Sequence, residues 1–303
     1  MKIVFLDSAI INPGDISWEG LQRLGELQVR KRTSREEAVS VIGEAEAVFT
    51  DSFVIDRELM EACPSLKFIG ISATGFNHVD LDAAKELGIA VANVPAYAAE
   101  AVAQHAIALL LSVTNQIETY NEAVKSGEWQ KSRDYTFIKA PLTLLAGKSI
   151  GIVGFGDIGS KIAQIAEALG MKVNIYSRDR EAAIKSDVVS LSCPLTSENK
   201  GMIDEYFISQ MKDGAILINT ARGGLIDEAA LADALKSGKL AGAGLDVLAQ
   251  EPPGEDNPLV GLHNCYITPH IGFIPVETRR VVIETCEDNL KSFIEGDSLN
   301  RLV

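Results

Sequence analysis

The stretch SIGIVGFGDIG (149–159) decides the fold. A short β-branched run, SIGIV, leads at once into Gly154-Phe155-Gly156-Asp157-Ile158-Gly159, and a helical pattern follows from Asp157 to Leu169. A lone GxGxxG means little, but between a strand and a helix it has the context of a dinucleotide-binding turn. Gly154 permits the tight turn, Gly156 lets the backbone approach a pyrophosphate, and Gly159 lets helix and strand pack closely. The helix start, at Asp157 and Ile158, offers free amides and a positive dipole end to the anion.

Outward from this turn, the same alternation of short strands and helices runs along the chain, which predicts α/β layers with parallel sheets. One set of strands reads Ser149–Val153, Lys172–Tyr176, Asp187–Ser192, Ala215–Asn219, Ala241–Asp246 and Cys265–Thr268. Six strands separated by helices fit a dinucleotide-binding sheet made of two halves. An earlier set reads Lys2–Leu6, Ala45–Thr50, Lys67–Ile71 and Ile89–Ala92, with helical patterns at Arg57–Cys63 and Leu81–Leu87. A long helical pattern spans about Ala98 to Val124, and another runs from Val276 to Ile294. If the last helix packs back on the first set, residues 1–97 plus 276–303 form one domain. Residues 98–275 then form the dinucleotide-binding domain. The expected fold is therefore two doubly wound parallel-sheet domains.

Acidic residues outnumber basic ones 42 to 28, and a net charge of −14 repels phosphate backbones and anionic lipid. Nucleic acid and membranes are not expected partners. The longest apolar stretch, Ala101 to Val113, is interrupted by Gln104 and His105 and is too short to span a bilayer. MKIVFLD (1–7) enters a strand without the parts of a signal peptide. Cys63, Cys193, Cys265 and Cys286 are scattered, with no metal-ligand spacing. They are expected as reduced, mostly buried thiols of a cytoplasmic protein with no metal.

Ligands bind beyond the carboxyl ends of strands in such sheets, and three of these ends carry reactive groups. Arg222 follows Ala215–Asn219 and precedes Gly223-Gly224. Its guanidinium suits a carboxylate and an adjacent carbonyl oxygen, held by two parallel hydrogen bonds. Glu251 follows Ala241–Asp246, in DVLAQEPP (246–253), and His270 follows Cys265–Thr268, in TPHIG (268–272). A carboxylate beside an imidazole stabilises the imidazolium and fixes its tautomer. His270 is then able to protonate a ketone oxygen as hydride arrives. His78, His105 and His263 lack this context. At the end of Lys172–Tyr176, where an acidic residue would bind the ribose hydroxyls, Ser177 and Arg178 stand instead. Arg178, with Arg180, suits a 2′-phosphate, so the cofactor leans to NADP. The bland reading is that Arg178 is a solvated loop residue and NAD is used loosely.

The chain resembles the D-isomer-specific 2-hydroxyacid dehydrogenases, in particular the branch of glycerate dehydrogenases and hydroxypyruvate or glyoxylate reductases. The resemblance is carried by ATGFNHVDLDAA (73–84), NVPAYAAEAVAQHAIALLL (93–111), LAGKSIGIVGFGDIG (145–159), SCPLT (192–196), INTARGGLID (218–227), GLDVLAQEPP (244–253) and ITPHIG (267–272). It implies a flavodoxin-like substrate domain and a Rossmann cofactor domain, with NAD(P) as cofactor. It carries the catalytic roles onto Arg222, Glu251 and His270, and substrate-carboxylate binding onto the amides of Thr74 and Gly75. Asp246 would hold the nicotinamide carboxamide, and Cys193, Pro194, Thr220 and Ala221 would line the cofactor cleft, near His270 and Gly272. It also implies a homodimer formed through the cofactor domains.

Two features depart from that pattern. One is Ser177. The other is the short connection from Ser177 to Ser186, which predicts a short helix within Arg180–Lys185, a more open adenine pocket and weaker cofactor affinity. The expected reaction is hydride transfer to a small 2-oxo acid, hydroxypyruvate or glyoxylate. The alternative from another class is a non-catalytic NAD(P)H-sensing protein on the same fold. A dehydrogenase acting on formate or phosphite is a further enzymatic rival.

Overall fold

Eleven parallel strands form two sheets in this computed structural model, which describes residues 1–303. The chain divides into two units, one of Met1–Tyr97 with Phe273–Val303 and one of Ala98–Gly272.

In the first unit the strands are β1 (Lys2–Phe5), β2 (Glu26–Val29), β3 (Ala47–Thr50), β4 (Phe68–Ile71) and β5 (Ala90–Ala92), in the order β2-β1-β3-β4-β5. This is the flavodoxin-like order. The strands β3, β4 and β5 are buried at every position, as expected for parallel strands covered on both faces. The sequence reading missed β2. Its residues, ELQV, alternate between exposed and half-buried at the sheet edge, so no apolar run marks it. On one face Phe5, Phe49 and Phe68 pack in series, with ring centroids 5.7 and 5.8 Å apart. The helix Val276–Glu295 covers that face with Val282, Ile283, Cys286 and Leu290.

In the second unit the strands are β6 (Ser149–Val153), β7 (Lys172–Ile175), β8 (Val188–Leu191), β9 (Ala215–Asn219), β10 (Leu240–Leu245) and β11 (Cys265–Ile267). Their order is β11-β10-β9-β8-β6-β7. The chain reverses direction across the sheet at β6, so the ligand-binding switch point lies between β6 and β8. The six expected strands form this sheet, and its two halves are unequal. Only β6 and β7 remain on the first side. Residues 177–186 hold one short helix, Arg180–Ile184, capped by the Asp179 carboxylate, and leave no length for a third strand.

The helix Ala99–Asn115 packs on this sheet because β10 presents small residues. A Cβ on Gly242 would lie 2.6 Å from Val113 Cγ1, and one on Gly244 would lie 2.8 Å from Leu109 Cβ. The expected single helix from 98 to 124 is two, Ala99–Asn115 and Ile117–Lys125. Gln116 separates them at φ 51°, a left-handed conformation. Its side chain donates to Val113 O and accepts from the Tyr266 hydroxyl, which holds the break. No helix is long and apolar enough to cross a membrane. The four cysteines are free thiols. Cys63 and Cys286 are buried, whereas Cys193 and Cys265 are half-buried, so the expectation of mostly buried thiols is met by two of them.

Candidate active site

The turn after β6 has the shape that its glycines dictate. Gly154 sits at φ 97°, and a Cβ there would lie 2.5 Å from Cys193 N. A Cβ on Gly159 would lie 2.1 Å from Gly154 O. Both positions are closed to a side chain. Gly156 is different, because no atom lies within 4 Å of where its Cβ would be. Gly156 also begins the helix Asp157–Ala168 without any side-chain cap, whereas Asp56, Asp80, Asp204 and Asp227 cap the helices they precede. No side chain caps the first-turn amides at Asp157 and Ile158, which leaves them for an anion such as a pyrophosphate.

At the neighbouring strand ends, the buried hydroxyls of Ser192 after β8 and Thr220 after β9 have no protein partner. Ser190 Oγ inside β8 is unpaired in the same way. Buried hydroxyls are ordinarily paired, and a polar ligand beyond the strand ends would offer Ser192 and Thr220 a partner. A dinucleotide fits this set: uncapped helix amides at one end and unpaired hydroxyls just after β8 and β9. Cys193 backs the glycine turn, Pro194 O accepts from Asn199 Nδ2, and Ala221 N is held by Asn219 Oδ1. At the far end Ser177 is exposed, and the Arg178 guanidinium lies over the Phe155 ring, 5.4 Å from its centroid. Arg178 is itself exposed, and this ring contact is what it makes with the glycine turn.

Arg222 is placed by its neighbours. Asn219 Nδ2 donates to Arg222 O, which closes the turn after β9. A Cβ on Gly223 would lie 1.9 Å from Leu248 C, so only glycine lets this turn abut the loop after β10. That loop carries Glu251, whose Oε1 accepts from Leu248 N at 3.0 Å. Glu228 braces the same loop, accepting from Ala249 N and Asn257 Nδ2. Glu251 Oε2 lies 2.7 Å from His270 Nδ1. The contact with Glu251 holds the His270 imidazole above its ordinary pKa, against burial and the nearby Arg222 charge. Burial pushes the Glu251 carboxyl up, but the His270 contact and the Leu248 amide together outweigh it and the net shift is downward.

Asp246 is 3% exposed and accepts from Thr268 Oγ1, Ile271 N and Gly272 N. Burial alone would raise its pKa, but His105 and these donors lower it overall. Thr268, Glu228, Asn219 and His105 are the functional neighbours that sequence reasoning missed. None sits in a motif whose spacing names its partner.

In the first unit, Thr74 Oγ1 donates to Val94 O, and Asn93 Nδ2 donates to Thr74 O, which fixes the loop carrying Thr74 and Gly75. Asp7 likewise accepts from the amides of Asp51, Ser52 and Phe53, fixing the loop after β3.

Comparison with known proteins bears on this arrangement. The family model for the D-isomer specific 2-hydroxyacid dehydrogenase, NAD binding domain, matches residues 107–272. A hydroxypyruvate reductase of Blautia hydrogenotrophica is 45% identical, over 99% of both chains. A glyoxylate reductase of Thermococcus litoralis is 41% identical, over 82% of this chain and 80% of that one. The crystal structure of the TT0316 protein from Thermus thermophilus superposes with a TM-score of 0.88 at 34% identity, covering 100% of both chains. The relatives' names lend nothing to the alternative of a non-catalytic sensor. Matched by that model over more than half its length, and by a reductase over nearly all of it, the chain belongs to the D-isomer specific 2-hydroxyacid dehydrogenases, nicotinamide-dependent oxidoreductases.

Proposed function

We propose that the chain reduces a small 2-oxo acid, hydroxypyruvate or glyoxylate, to the D-2-hydroxy acid, with NADPH favoured over NADH. The observation that carries this reading is the 2.7 Å contact between His270 Nδ1 and Glu251 Oε2 beside Arg222. With Nδ1 engaged by Glu251, proton exchange with the substrate falls to Nε2 of His270. Protonated His270 delivers that proton to the forming alkoxide, and Glu251 keeps the imidazole charged. Arg222 has one N–H on Ala221 O, and its remaining donors serve the substrate carboxylate and the neighbouring carbonyl oxygen. When bound, the nicotinamide supplies the hydride. Thr74 and Gly75 remain proposed substrate contacts on the resemblance, as Asp246 remains the proposed partner of the carboxamide.

The names of the two relatives support hydroxypyruvate and glyoxylate as substrates. Ser177 and the Phe155-stacked Arg178 support NADP, because the turn lacks the carboxylate that would repel a 2′-phosphate. The short 177–186 connection supports a looser hold on the adenosine end. A homodimer through the Ala98–Gly272 unit is part of the proposal. It is supported by Trp129, Tyr135, Ile138 and Leu144, large apolar side chains exposed on that unit. A cytoplasmic location accords with the acidic, thiol-bearing chain.

The test is a panel of 2-oxo acids assayed with NADH and NADPH in parallel. The expected result is the highest kcat/KM for hydroxypyruvate or glyoxylate with NADPH. Absence of NAD(P)H oxidation with every 2-oxo acid would overturn the reading.

A further inference from the structure

His105 lies in the helix Ala99–Asn115, in the same unit as His270. Its Nε2 lies 2.8 Å from Thr268 Oγ1 and 3.1 Å from Asp246 Oδ1. Thr268 gives its hydroxyl hydrogen to Asp246 Oδ1 at 2.6 Å. A carboxylate only accepts, and that hydroxyl has no second hydrogen to give, so Nε2 of His105 must carry the hydrogen and donate.

Asp246 in turn holds the chain at His270. Its backbone oxygen accepts from His270 N at 2.9 Å. Its two carboxylate oxygens accept from Ile271 N and Gly272 N, both at 2.8 Å. One residue thus grips three consecutive amides, beginning with that of His270. The grip matters because His270 sits at φ 54°. A side-chain-bearing residue keeps that left-handed conformation only where its surroundings over-determine it. The buried Asp246 carboxylate has no lysine or arginine partner, and His105 Nε2 is the ring nitrogen that reaches it, at 3.1 Å. Of its side-chain donors, Thr268 belongs to the same loop as His270, whereas His105 reaches in from a packed helix. It is the anchor that the loop cannot supply for itself.

We propose that His105 is a positioning residue for the proton donor, acting through Thr268 and Asp246 to fix the backbone that carries His270. This rests on the catalytic reading of His270 given above.

The test compares His105→Leu, which deletes the donor, with His105→Gln, which keeps an N–H of similar reach. Because a small misplacement of a reacting group costs up to about a hundredfold, His105→Leu should lower kcat roughly 10- to 100-fold. The cofactor dissociation constant, measured by fluorescence without substrate, should change far less. The solvent deuterium isotope effect on kcat should rise, because proton delivery becomes more limiting. His105→Gln should recover most of the loss. Thr268→Val should reproduce it, and the double variant should lose less than the sum of the singles, as for two links of one chain. If His105→Leu does not fold, Thr268→Val carries the same criteria.

Wild-type kcat and isotope effect in folded His105→Leu or Thr268→Val would overturn the proposal. So would an equal loss of kcat and cofactor affinity with no recovery in His105→Gln, which marks a general structural role. His270→Ala separates the two levels. If that variant keeps its turnover, the catalytic reading fails. If it is inactive while His105→Leu is unaffected, only the present proposal fails.

Discussion

A Cβ on Gly151 of β6 would lie 2.1 Å from the carbonyl oxygen of Ala183. The helix Arg180–Ile184 therefore lies directly on the strand, and nothing larger than hydrogen fits between them. This close approach lets a ten-residue connection cross β6 and still reach β8. Gly151→Ala should destabilise the protein by about 1–3 kcal/mol, the usual effect of overpacking. A urea titration should show a lower midpoint with little change in slope. A midpoint equal to wild type would mean that the helix yields freely.

The contact between Glu251 and His270 predicts a pH profile. Reduction needs protonated His270, so activity is present at low pH and falls as pH rises through the His270 pKa. That pKa is raised, chiefly by the hydrogen bond to Glu251. The alkaline limb of kcat/KM should therefore lie above the ordinary histidine value, and Glu251→Gln should move it to lower pH. The same sign holds for stability. The contact contributes fully below the unfolded-state pKa and is lost as pH rises through the folded one. His270→Ala should lower kcat by roughly 10²–10⁴, the usual contribution of a general acid, with cofactor affinity little changed.

Arg178 predicts cofactor choice. Hydrogen bonds to a charged group contribute about 1.5–3 kcal/mol, or roughly 10- to 100-fold in affinity. Arg178→Ala should weaken NADPH binding by that factor and leave NADH nearly unchanged, as read by fluorescence titration of each. Equal effects on both cofactors would remove Arg178 from 2′-phosphate recognition.

Asp187 predicts acid sensitivity. It sits just before β8, where it accepts from Ser149 N and Oγ and pairs with Lys212 Nζ at 2.5 Å. Burial opposes ionisation, but Lys212 and Ser149 outweigh it and hold the carboxyl at about 2, below its ordinary 3.8. Its folded pKa is lowered, so its contribution is present above 3.8 and is lost as pH falls towards 2. At 1.36 kcal/mol per pH unit the contribution is at most about 2 kcal/mol. Asp187→Asn should lower the urea midpoint at neutral pH and shrink the wild-type difference near pH 2. A variant equally stable at pH 7 would contradict this.

Much of the candidate site is legible in the sequence, because it is local. Gly154, Gly156 and Gly159 sit on one strand-turn-helix segment, and Arg222, Glu251 and His270 each follow a strand that its own apolar run announces. The short helix at Arg180–Ile184 was readable from length alone, since ten residues hold little else. The strand β2 was not readable, because an edge strand half open to solvent carries no apolar run. The break at Gln116 was hidden for a different reason: its hydroxyl partner, Tyr266, comes from β11.

The placing of Arg222, Glu251 and His270 at three strand ends was determined by the sequence itself, since periodicity and turn motifs act over a few residues. Tertiary structure alone decided how they are held. Glu251 meets His270 across 19 residues of chain, and His105 reaches Thr268 across 163. Hydrogen bonds between distant segments form only once the sheet order and the helix packing bring their partners within 3 Å, and no local pattern records which segments those will be.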